Sequence, residues 1–148
     1  MDDKDFQKYF EKRYQDQKKW YATNARLNKK KYLLLQWTVI VLAGLTPILA
    51  LSLTSSYTRW ITVLISASVA VGTAALKTFQ YQEKWINYRT SAEMLKKEEY
   101  FYLASVGDYQ KSQNRKSLFV ERVEAIISRE NTSWFTIVQE KTAEKDKG

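Results

Sequence analysis

The chain has 148 residues, room for about one domain, and contains neither cysteine nor histidine. Disulfides, Cys/His zinc sites, thiol nucleophiles and histidine bases are thereby excluded. Its four glycines (Gly44, Gly72, Gly107, Gly148) are too scattered for a phosphate loop, so no enzyme, cofactor or metal site is expected. The net charge of +8 is unevenly placed, with ten Lys/Arg against five Asp/Glu in residues 1–31 and thirteen against eleven in residues 77–148.

Residues 1–31 are polar, and Asp5–Lys31 lacks Pro and Gly and reads as a helix. Phe6, Phe10 and Tyr14 recur every four residues, and Trp20, Tyr21 and Leu27 roughly continue the stripe. Two apolar runs follow, 32–53 and 60–76, with no charged side chain inside either. At 1.5 Å rise per residue both approach or exceed the roughly 30 Å hydrocarbon core of a bilayer. Because 31 polar residues precede the first run, and a second run follows it, a signal peptide is set aside. The connector 54–59 carries one charge, Arg59, and its shortness forces an antiparallel hairpin.

Nine basic residues crowd the other end of this hairpin, among them Lys29, Lys30, Lys31 and Lys77, against Arg59 alone at the connector. The positive-inside rule then places both termini in the cytoplasm. These charges hug the apolar runs instead of forming a distal patch. They are therefore read as contacts to anionic headgroups, not to nucleic acid.

Helical periodicity is expected to continue unbroken over 77–106. Tyr81, Trp85, Tyr88, Ala92, Leu95, Glu99, Tyr102 and Val106 alternate spacings of 4 and 3, a seam that should pack on another helix. Gly107 is the expected C-cap, followed by a polar turn over 108–116. A third helix is expected over 117–140, and the charged tail 141–148 is expected to be disordered. The fold class is all-α, in a single domain. A transmembrane hairpin extends its two helices into a cytoplasmic helical bundle completed by a third, C-terminal helix.

Several residues of the hairpin are candidates for function. On the second run Thr62, Ser66 and Thr73 share one helical face, and Ser68, Gly72 and Ala75 lie on another about 120° away. Small residues permit close helix packing in lipid, which leaves the hydroxyl face to line a polar path. Alternatively, each hydroxyl bonds the carbonyl four residues back. Pro47 cannot donate to the carbonyl of Ala43, and it shares a face with Gln36, Ala43 and Ala50 that serves as a gate or as a packing seam. No ionisable residue lies within either run, which argues against a proton-coupled carrier and leaves room for an uncharged pore. One hairpin cannot enclose a path, so a pore needs an oligomer of four or more copies. In the cytoplasmic part Arg89 and Glu93 are spaced i, i+4, and Glu124 and Glu130 lie near Trp134 on the third helix. These charges read as a solvated face or interhelical ion pairs, since no nucleophile accompanies them.

The pattern Trp85-x2-Tyr88-Arg89-x3-Glu93-x-Leu95-Lys96-x-Glu98, then Tyr109, then Phe119-x3-Val123-Glu124-x-Ile126-Ile127-x2-Glu130-x3-Trp134 resembles the SLATT family. These are two-transmembrane bacterial proteins proposed to form pores in the plasma (inner) membrane as effectors of defence or stress responses. The resemblance implies an oligomeric channel and a partner that makes or senses a nucleotide signal. It also implies structural or gating roles for Arg89, Glu93, Glu124, Glu130 and Trp134. The competing expectation is a non-conducting scaffold, anchored in the lipid bilayer, whose exposed aromatics over 6–21 bind a cytoplasmic protein.

Overall fold

A computed structural model describes residues 2–51 and 56–129, and every element in it is helical. Glu130, Trp134 and the tail 141–148 lie outside the described residues. The elements are α1 (Asp3–Lys8), a π-helical stretch (Tyr9–Tyr14), α2 (Gln15–Leu51), α3 (Ser56–Phe79), α4 (Tyr81–Ala104), a single turn α5 (Asp108–Lys111) and α6 (115–129). Two compact units divide the chain: residues 25–86, and residues 1–24 together with those from 87 onward.

The unit 25–86 is the hairpin. Among its half-buried positions are Tyr32, Leu35, Val39, Leu42, Thr46 and Leu49 on α2, and Thr58, Thr62, Ile65, Val69, Gly72 and Leu76 on α3. Both sets alternate spacings of 3 and 4, the signature of two helices packed along one shallow left-handed seam. The apolar stretches of both helices are long enough to cross a membrane, and none of either stretch is fully buried. Outside the seam large apolar side chains stand exposed, including Leu34 at 73% and Trp60 at 70%.

The helix expected to run unbroken over 77–106 is interrupted at Gln80. That residue adopts a left-handed backbone (φ 49°), and its carbonyl accepts the first bond of α4 from the Lys84 N–H at 3.1 Å. No Gly or Pro marks this position. A non-glycine residue in the left-handed region costs on the order of 1 kcal/mol, which packing on either side of it must outweigh.

The other unit is a small helical bundle. Asp2 caps α1 by accepting from the Asp3 N–H at 2.7 Å, and Asp3 and Asp5 in its first turn suit the helix dipole. In an ideal α-helix Phe6 and Tyr14 would stand about 80° apart. The wider π stretch, in which the Gln15 N–H reaches Phe10 O, turns less per residue and brings both into the core. Around Phe119 gather Phe6, Phe10, Tyr14 and Tyr102, with ring centroids 5.0–6.0 Å from its own. On α4 the expected seam is buried at Ala92 and Leu95 and half-buried at Tyr88, Glu99 and Tyr102, but Val106 is exposed. The aromatics over 6–21 thus serve the core: Phe6, Tyr14 and Tyr21 are buried, and only Trp20 stands exposed.

The cap of α4 also differs from expectation. Val106 N–H bonds Phe101 O and Ser105 N–H bonds Tyr102 O, both at 3.2 Å, a Schellman motif whose left-handed residue is Ser105 (φ 53°). Gly107 instead opens α5 with φ 65° and ψ −133°, a conformation that only glycine adopts without strain. Asn114 then caps α6, its Oδ1 accepting from the Ser117 N–H at 3.2 Å.

Candidate functional site

Within the hairpin, the hydroxyls of α3 are internally satisfied. Thr62, Ser66, Ser68 and Thr73 each donate to the carbonyl four residues back, at 2.8 Å. This geometry removes their protons from the apolar surroundings while leaving each oxygen able to accept. The two candidate faces prove to be the two flanks of one seam. Thr62 is half-buried against α2 while Ser66 and Thr73 are exposed, and Gly72 and Ala75 are half-buried while Ser68 is exposed. At 100° per residue the partner helix lies between the sets, so neither is a self-contained face.

Gly72 has a definite reason to be glycine. A β-carbon built there would stand 2.6 Å from Cγ2 of Val39, closer than any real carbon contact. Pro47 does not end α2, which continues to Leu51. With Ala43 and Ala50 it is exposed, and Gln36 is half-buried.

An aromatic and basic collar closes the base of the hairpin. Tyr32 stacks on Trp85 at 6.3 Å and Phe79 on Tyr81 at 5.5 Å. Lys29 lays its ammonium over Trp85 at 5.4 Å, and Lys31 lies over Tyr81 at 5.9 Å. Lys30 and Lys77 are exposed beside them.

In the helical bundle, three phenol–carboxylate–cation sets join segments distant in sequence. Tyr9 donates to Glu124 Oε1 at 2.8 Å, and Arg13 grips both oxygens of Glu124 at 3.2 Å. The Tyr14 hydroxyl shares its proton between Leu95 O at 3.0 Å and Glu99 Oε2 at 3.1 Å, and Lys18 reaches the same Glu99 oxygen at 2.8 Å. Tyr109 donates to Glu98 Oε2 at 2.7 Å while Arg122 bridges Glu98 and Asp108. Burial, and then the facing carboxylate, pushes all three phenols above the ordinary tyrosine range. Hydrogen bonds from Arg13, and then Tyr9, hold the Glu124 carboxyl below its usual range.

Of the expected cytoplasmic residues, Glu124 is therefore an interhelical anchor. Glu93 pairs with Lys96 at 3.0 Å, and Arg89 stands exposed one turn before it. In the sequence, Tyr14 and Glu99 fall on packing stripes and Glu98 and Tyr109 in the family pattern, but none of them is assigned to an ion-pair set, and Tyr9 is not singled out there. A shared local signal is a Tyr–cation spacing of four, at Tyr9–Arg13 facing Glu124 and at Tyr14–Lys18 facing Glu99. The arrangement locks helices together and presents no nucleophile beside a base, and no potential metal cluster occurs among the described residues. No curated protein and no solved structure matches the chain. A family profile described as "protein of unknown function" (DUF4231) does match, over residues 16–117, which include the whole hairpin and α4; the chain belongs to the DUF4231 family.

Proposed function

We propose that this protein is an oligomeric membrane channel of the SLATT type, whose hairpin spans the bacterial inner membrane with both termini in the cytoplasm. The observation that carries this reading is the exposed hairpin. Its two apolar helices half-cover one seam against each other and leave their remaining apolar surface bare, as a lipid-facing or copy-facing element would. With two helices per chain, an enclosed path needs four or more copies. Ser66 and Thr73, on an exposed flank, are the lining residues in this reading, and Thr62 supports them from the seam. The bundle would act as the lever that an effector-generating or sensing partner moves, and no catalysis is assigned to it.

Native mass spectrometry of the protein in lipid nanodiscs, paired with ion flux from vesicles, tests the proposal. A ring-sized assembly that conducts supports it. A monomer or dimer, which leaves too few helices for a path, overturns it. The second reading, a membrane-anchored scaffold, no longer draws on the aromatics over 6–21. It draws instead on Tyr100 and Leu103, exposed at 67% and 66% on one side of α4. Proximity labelling that recovers one dominant cytoplasmic protein would favour it.

A further inference from the structure

In the bundle, where acids are plentiful, Arg13, Lys18, Lys96, Lys116 and Arg122 each meet a carboxylate of the same unit, while exposed lysines such as Lys4, Lys8, Lys12 and Lys19 make no ion pair among the described residues. In the unit 25–86 six basic residues, Arg26, Lys29, Lys30, Lys31, Lys77 and Lys84, cluster at the open end of the hairpin, and Glu83 is the one acid in that stretch of sequence. All six are exposed, and none makes an ion pair among the described residues. Lys29 and Lys31 rest on the faces of Trp85 and Tyr81 instead, from flanks of α2 about 160° apart. Aromatic faces orient these ammonium groups without neutralising them.

From this uncompensated charge we infer that the collar is a binding site for acidic phospholipids. The inference rests on the membrane reading above and adds a lipid class to it. Two features select a lipid over a soluble anion. The cations sit where the exposed apolar surface ends, the level of lipid phosphates around a spanning hairpin. They also surround the hairpin instead of converging on a cavity. A headgroup of net negative charge satisfies them, whereas a zwitterionic one brings its own ammonium and returns part of the repulsion.

The full chain, reconstituted in vesicles of equimolar phosphatidylglycerol and phosphatidylcholine, should retain mainly phosphatidylglycerol when extracted into nanodiscs and weighed by native mass spectrometry. Lys30→Gln, Lys77→Gln and Lys84→Gln together spare both ring contacts, and should weaken that preference by about fivefold for each lysine in headgroup contact. The corresponding arginine variants should keep it, as should Lys8→Gln with Lys12→Gln in the other unit. Inserted protein that retains the two lipids equally overturns the inference and leaves the membrane reading standing. Displacement of phosphatidylglycerol by inorganic phosphate would make the collar a soluble-anion site and overturn it as well. Protein that does not float with the vesicles overturns both readings.

Discussion

Val39 and Gly72 stand so close that no side chain fits between their helices: a β-carbon on Gly72 would lie 2.6 Å from Val39 Cγ2. Valine is stiff at χ1 and cannot swing aside cheaply. Gly72→Ala should therefore destabilise the hairpin by about 1–3 kcal/mol, as overpacking does. Val39→Ala in the same chain should recover much of the loss. A double-mutant cycle on thermal unfolding in nanodiscs reads the coupling, and additive effects would mean the helices do not meet here.

Thr62 and its neighbours give a contrast within one expected face. Thr62→Val keeps the shape of a half-buried seam residue and loses only a hydroxyl already bonded to Thr58 O. It should leave vesicle flux near the parent value. Ser66→Leu with Thr73→Leu places bulk on the exposed flank and should remove most of the flux. Equal effects from the two changes would show that the seam does not separate these residues.

Tyr14 is buried with its hydroxyl between the Leu95 carbonyl and the Glu99 carboxylate. Tyr14→Phe removes one donor from each acceptor, while Lys18 and Gln15 stay on Glu99, and should cost about 1 kcal/mol. Tyr100, exposed at 67%, provides the comparison, and Tyr100→Phe should change stability by less than about 0.5 kcal/mol. Chemical denaturation of the two variants side by side is the measurement.

How much of this was legible in advance varies by residue. The hairpin announces itself through the absence of charge over 32–53 and 60–76, and the packing face of α4 through its 4–3 spacing. These are local signals, and each is set by a single helix. The seam between α2 and α3 is different, because which side of Thr62 meets α2 depends on both helices and on the tight Val39–Gly72 approach. Gln80 and Ser105 hold left-handed backbones without glycine, so turn chemistry gave no warning of either. The pairing of Tyr9, Tyr14 and Tyr109 with carboxylates spans 115, 85 and 11 residues respectively, and two of the three are beyond any local pattern.

The Arg13–Glu124 pair predicts an acid response. The folded Glu124 carboxyl titrates below its ordinary value of 4.5, so the pair contributes fully above that pH and is lost as the pH falls through the folded value. Glu124→Gln should flatten the acid limb of stability against pH below about 5 and leave its slope near neutrality unchanged. An acid limb identical in parent and variant would place the titrating group elsewhere.

The three phenols predict the opposite limb. Tyr9, Tyr14 and Tyr109 ionise above their ordinary value of 10.0 when folded, so the stabilisation from keeping them neutral is complete below pH 10.0 and declines as the pH rises past it. Ultraviolet titration of phenolate should therefore show these three ionising only as helicity is lost. Replacing all three by phenylalanine should remove that late component from the titration. Tyr109→Phe alone, which leaves Glu98 its Arg122 partner, should remove about a third of it. Ionisation of every tyrosine before any loss of helicity would mean that the phenols are open to solvent in the folded chain.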